Sequence, residues 1–182
     1  MALDMVVLNG GSSSGKTSLV RTVQGLLEEP WVALSVDDLV DALPRSGPGS
    51  RTITFGADGS VHVGPEFRRV ERAWLAALAT IARAGVGVLV DDVFLDGRTS
   101  QDRLRAHLSG VQVLWVGVRC DPDVAAAREL ARGDRPLGMA RAQAERVHVG
   151  AAYDLEVDTG TASLQDCARD LAAAVAHRRG AP

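Results

Sequence analysis

Lysine is nearly missing from this 182-residue chain: among 20 cationic side chains the one lysine is Lys16, and arginine supplies the rest. Excess positive charge is missing too. A formal charge of -3 gives no electrostatic ground for nucleic-acid binding, which calls for a concentrated basic surface. The pairs Arg68, Arg69 and Arg178, Arg179 are therefore expected to be solvated faces. Cysteine is scarce, and Cys120 and Cys167 make neither a C-x-x-C pair nor a metal cluster. Both are expected to be small buried apolar residues, with no redox or zinc role. Long hydrophobic runs are lacking as well. Residues 1 to 4 carry no basic start, and the apolar run after them is too short for a signal peptide or a membrane span. The expectation is a cytoplasmic protein that does not engage a membrane.

What the chain does have surrounds its lysine. Gly10, Gly11, Ser12, Ser13, Ser14, Gly15, Lys16 and Thr17 match G-x-x-x-x-G-K-[ST] at every constrained position. Met5 to Leu8 form an apolar run of the kind buried on both faces of a parallel sheet. After Thr17, the residues Leu19, Val20, Val23, Leu26 and Leu27 recur at helical spacing. The loop thus joins a strand's carboxyl end to a helix's amino end, where unpaired N–H groups and the helix dipole converge on an anion. A nucleoside triphosphate is the expected ligand. Lys16 would reach the outer phosphates, and the Thr17 hydroxyl would ligate Mg2+.

At 46% hydrophobic, the chain is long enough for one packed domain, expected over residues 1 to 182. Further strands are expected at Trp31 to Val36, Val86 to Val90, Val111 to Val118 and Tyr153 to Val157. Between them, helical patterns run from Pro65 to Ala84, with Phe67, Val70, Trp74, Leu78 and Ile81 on one stripe, and from the Asp121-Pro122 start signal to about Arg132. Trp74 reads as core. Ser163 and Asp166 resemble a capping box for a last helix with Leu164, Cys167, Leu171 and Val175 inward, and Arg178 to Pro182 are expected to fray. This alternation predicts an α/β, P-loop kinase-like fold with a five-stranded parallel sheet flanked by helices. Residues 44–64 and 132–138 read as covers, the first with a small hairpin of Thr52 to Phe55 and Val61 to Val63, or else as surface excursions.

Ligands of such sheets bind beyond the strands' carboxyl ends, where two acidic pairs fall. Asp37 and Asp38 follow the second strand, and either would suit a general base accepting the proton of an attacking hydroxyl; spacing alone does not separate them. One of Asp91 and Asp92 should orient magnesium, with Asp92 preferred. Arg132 and Arg135, in a turn between helical segments, are expected to stabilise the transferring phosphoryl oxygens. No second lysine is present to build the N-K-x-D motif of a GTP switch. Symmetric association is common among soluble enzymes, so a homo-oligomer is open, although no exposed stripe marks an interface.

Leu8-Asn9-Gly10-Gly11-Ser12-Ser13 through Lys16, Val36-Asp37, Gly64-Pro65-Glu66-Phe67-Arg68, Asp91-Asp92-Val93-Phe94-Leu95 and Trp115 to Cys120 together resemble the chloramphenicol phosphotransferase family. The likeness continues through Ala131 to Arg135, Gly138-Met139-Ala140, Gln143-Ala144, Val147-His148 and Tyr153 to Thr159. It implies an ATP-dependent kinase that phosphorylates the primary hydroxyl of chloramphenicol and inactivates the antibiotic. By the same resemblance Asp37 is the base and Gly10 to Thr17 hold the nucleotide; by position, the acceptor is expected near Asp92, Val93 and Phe94. Residues 44 to 63 look least like the family.

Overall fold

The structure is a computed structural model and describes residues 3–44, 52–56, 58–133 and 137–180. Five strands, β1 (Met5–Asn9), β2 (Trp31–Ser35), β5 (Gly87–Asp92), β6 (Val113–Arg119) and β7 (Leu155–Asp158), form one sheet in the order β2-β5-β1-β6-β7. All neighbouring pairs are parallel. The central strand β1 alternates its side chains between two cores, as the period of two requires. Val6 and Leu8 pack against α1 (Lys16–Gln24) and α7 (Leu164–Gly180) through Leu19, Val20, Val23, Cys167, Leu171 and Val175. Met5 and Val7 pack on the opposite face against α3 (Pro65–Arg83) and Leu104 of α4 (Arg98–Arg105). Among the described residues the remaining α-helices are α2 (Val36–Asp41), α5 (Pro122–Arg132) and α6 (Met139–Ala144), with a 3-10 turn at Arg146–His148.

The predicted sheet is present, with boundaries that matter for the site. Val36 opens α2 rather than closing β2, and Asp91 and Asp92 are the last residues of β5 rather than a loop beyond it. The buried stripe of α3 runs through Phe67, Leu75, Leu78, Ala79 and Ala82; Val70, Trp74 and Ile81 sit at its margin, so the stripe is rotated by about one residue. Trp74 does pack against the core. Residues 178–180 remain helical instead of fraying: Arg178 pairs with Asp154 at 2.9 Å, and Arg179 pairs with Glu29 at 2.6 Å while lying over the Trp31 ring. Ser163 and Asp166 form the expected cap, with the Asp166 amide donating to Ser163 Oγ at 3.1 Å. Cys120 and Cys167 are free and buried.

The hairpin exists, with β3 (Ile53–Phe55) pairing antiparallel to β4 (Val61–Val63). Gly59 at its turn has φ 78° and lies so close to Gly138 and Met139 that a Cβ there would stand 2.4 Å from their backbone. Two segments almost eighty residues apart are thus in backbone contact.

Candidate functional site

β1 ends in the middle of the sheet, at the point where the chain crosses to either side, so the loop after it opens between β5 and β6. Gly10 is required there, because a Cβ would stand 2.6 Å from the Val118 carbonyl oxygen. Ser13 carries φ 58°, the one positive φ of a non-glycine among the described residues, a strain of roughly 1 to 2 kcal/mol that tight wrapping of the loop imposes. Asn9 fixes the strand's end. Its Oδ1 accepts from the Phe94 amide at 2.8 Å, while Nδ2 donates to the Val147 carbonyl at 2.8 Å and to the Tyr153 hydroxyl at 2.6 Å.

That polarity propagates. Because Tyr153 accepts from Asn9, its own proton goes to His148 Nδ1 at 2.7 Å, which leaves the proton of the neutral imidazole on Nε2, buried without a partner. Burial, with Arg119 and Lys16 adding like charge, holds His148 down at about 4, and burial raises the Tyr153 phenol. Neither residue carries charge near neutrality.

Lys16 is buried, with Nζ donating to the Gly11 carbonyl at 3.0 Å and lying 3.7 Å from Asp91 Oδ1. The Thr17 hydroxyl donates to Asp91 Oδ2 at 2.6 Å. Asp91, not the Asp92 favoured from sequence, is therefore the carboxylate beside the threonine. Asp92 Oδ1 instead accepts from the Val93 amide at 2.7 Å. Burial, reinforced by the nearby Glu71 and Asp91 charges, pushes the Asp92 carboxyl up to about 6. Thr17 and Asp91 supply two hard oxygens, a donor set that fits magnesium, which takes few protein ligands and completes its shell with phosphate and water.

A cavity of about 540 Å³ opens beyond the loop and is lined by Ser12, Ser13, Lys16, Thr17, Asp37, Asp91 and Asp92, and also by Arg132. The second acidic pair divides here. Ser35 caps α2 by accepting from the Asp38 amide at 3.1 Å, and Asp38 Oδ2 accepts from the Ser35 amide at 2.7 Å. Asp38 is thereby committed to the capping box, whereas Asp37 lines the cavity. Arg135 lies outside the described residues. Phe94 does not reach the cavity: it is 1% exposed and packs against Trp115 with ring centroids 6.3 Å apart, while its neighbours Val93 and Leu95 do line it. Adjacent residues alternate around the turn, so one faces the core.

Several site residues had been given no contact or role from sequence. Gln143 of α6 accepts from the Ser12 amide at 2.8 Å. Glu129, 2% exposed, accepts from the Gly138 and Ala140 amides, each at 2.7 Å, and so anchors the chain after Gly133. The hairpin contributes Ile53, Phe55, Val61 and Val63 to the cavity wall. Arg68, expected on a solvated face, lines the cavity with Glu71 and Arg103. Only the quoted block around Gly64 to Arg68 drew attention to that region, and without assigning a contact.

Comparisons with known proteins bear on the family and the fold. Two proteins from strains of Mycobacterium tuberculosis, described as proposed O-phosphotransferases, are 36% identical to this chain over 180 residues, covering 92% of it and 80% of their own length. Among solved structures, a sugar kinase from Janibacter sp. superposes with a TM-score of 0.67 at 18% identity, covering 94% of this chain and 92% of its own. A gluconokinase from Sinorhizobium meliloti 1021 gives 0.64 at 21% identity, covering 96% and 92%. The Deinococcus radiodurans tunicamycin resistance protein gives 0.66 at 20% identity, covering 96% of each chain. The fold is that of the P-loop kinases, and no helix among the described residues is long and apolar enough to cross a membrane. The chloramphenicol phosphotransferase-like protein family matches residues 3–176, and this chain, a kinase-type small-molecule O-phosphotransferase, belongs to it.

Proposed function

We propose that the chain transfers the γ-phosphoryl group of ATP to the primary hydroxyl of chloramphenicol or a close analogue, with Asp37 as general base. The supporting observation is a single cavity shared by Lys16, Thr17 and Asp37, with the competing carboxylate of Asp38 diverted into the α2 cap. In this reading the loop amides of Gly10 to Thr17 cradle the phosphates, and Lys16 neutralises charge on the outer ones. Thr17 Oγ1 and Asp91 would hold magnesium, which when bound would neutralise phosphate charge. Asp37 takes the proton as the acceptor O–H breaks, the new O–P bond forms in line, and the bond to the β-phosphate oxygen breaks to release ADP. Arg132, from the end of α5, adds positive charge beside the transferring group, and Arg135 is assigned the same task.

The acceptor half of the cavity is walled by the hairpin's apolar side chains together with Phe67, Leu75 and Leu104, which favours an acceptor with an apolar body. A regulatory ATPase would have no use for that chamber. Incubation with ATP, magnesium and chloramphenicol, followed by mass spectrometry, should reveal one added phosphate; no adduct would move the assignment to another alcohol. Asp37→Asn should retain ATP binding while turnover falls roughly 100-fold or more, and near-normal turnover would remove Asp37 from the role.

A further inference from the structure

The acceptor half of the cavity also carries a charged cluster that phosphoryl transfer leaves without a task. Arg68 of α3 donates from Nη1 to both oxygens of Glu71 at 2.9 Å and from Nη2 to Asp96 Oδ2 at 2.8 Å. Arg103 of α4 donates from Nη2 to the same Asp96 oxygen at 3.0 Å and to Ser100 Oγ at 2.8 Å. Its Nε lies 3.6 Å from Glu71 Oε2. Arg68, Glu71 and Arg103 all line the cavity. Arg103 Nη1 makes no hydrogen bond among the described residues.

Charge decides what such a cluster can bind. Two guanidinium groups face two carboxylates, so no surplus positive charge remains to hold a carboxylate or phosphate on the acceptor. Asp37, Asp91 and Asp92 line the same cavity and offset its other cations, Lys16, Arg21 and Arg132. What remains is a planar donor fixed by Asp96 and Ser100 beside an apolar wall. Such a donor, held in place before binding, recognises an uncharged oxygen at little cost in ordering. Leaving it unpaired beneath an acceptor that lacks the oxygen would be penalised.

We propose that Arg103 is a specificity-determining residue, whose Nη1 donors bind an uncharged oxygen of the acceptor other than the hydroxyl that is phosphorylated, with Glu71, Asp96 and Ser100 as its positioning residues. This rests on the small-molecule kinase reading and adds to it which side chain reads the acceptor's second polar group.

The test compares wild type, Arg103→Gln and Arg103→Lys on chloramphenicol and on analogues in which the nitro group or the benzylic hydroxyl is replaced by hydrogen, or the amide carbonyl by a methylene. Arg103→Gln should lower kcat/KM for the full acceptor roughly tenfold or more and change it little for the one analogue missing the oxygen that Arg103 reads. The KM for ATP should stay unchanged, and Arg103→Lys, which keeps a cationic donor, should recover part of the loss. An equal loss on every analogue, no loss on any, or a loss confined to the KM for ATP would overturn the proposal. Acceptor and nucleotide binding are also measured separately by calorimetry, with a non-hydrolysable ATP analogue and magnesium. Wild type that binds the nucleotide but none of these neutral alcohols sinks the proposal alone; wild type that binds neither sinks the kinase reading as well.

Discussion

At the residue scale, the two carboxylates ending β5 have been given different chemistry by a difference of one position. Asp91 faces Thr17 and Lys16, while Asp92 accepts from the Val93 amide and feels the Glu71 charge. Folding raises Asp92 from 3.8 to about 6, so the native state holds that proton more tightly than the unfolded chain does. Its contribution to stability is therefore complete below 3.8 and is lost as the pH rises through about 6. Asp92→Asn keeps an oxygen for the Val93 amide and removes the buried charge. It should stabilise the protein by ~1 to 3 kcal/mol at pH 8, with the gain vanishing near pH 4. Urea unfolding at the two pH values checks this; a gain independent of pH would mean that Asp92 is not the group responsible.

At the element scale, α2 shows how a short helix can orient one acidic side chain by occupying another. Six residues give little intrinsic helix stability, so the reciprocal bonds of Ser35 and Asp38 carry much of it. Ser35→Ala should cost about 1 kcal/mol in a denaturant titration and lower turnover by loosening Asp37. Asp38→Asn retains an oxygen for the Ser35 amide and should leave turnover within about threefold of wild type, in contrast to Asp37→Asn. A collapse of activity in Asp38→Asn would reverse the assignment of the two residues.

At the scale of the whole molecule, the hairpin that walls the acceptor cavity rests on the chain leading into α6, and α6 in turn touches the phosphate loop through Gln143. Gly59→Ala introduces a Cβ at φ 78°, 2.4 Å from the Gly138 and Met139 backbone, so the two covers must separate. Stability should fall by about 1 kcal/mol or more, and the KM for the acceptor should rise several-fold in initial-rate measurements. An unchanged KM would show that the acceptor does not use this contact.

The five strands of the sheet, the helices α1, α3, α5 and α7 and the identity of the phosphate loop were legible in the sequence, because each depends on neighbours a few residues apart. Apolar period, cap residues and the loop motif are local signals. The roles of Gln143, Glu71 and Arg103 were not legible, even though Gln143 stands in a block of the family resemblance: each is an ordinary polar residue on a helix, and its role comes from what lies across the cavity. The choice of Asp91 over Asp92 was hidden for a related reason, since both stand in register at a strand's end and only the flanking helices decide which faces Thr17. Sequence alone thus determined that this chain would build a nest for phosphate between a strand and a helix. The tertiary structure decided which carboxylates face that nest and which arginine stands at the acceptor's other end, because side-chain direction and burial are set by packing between distant segments.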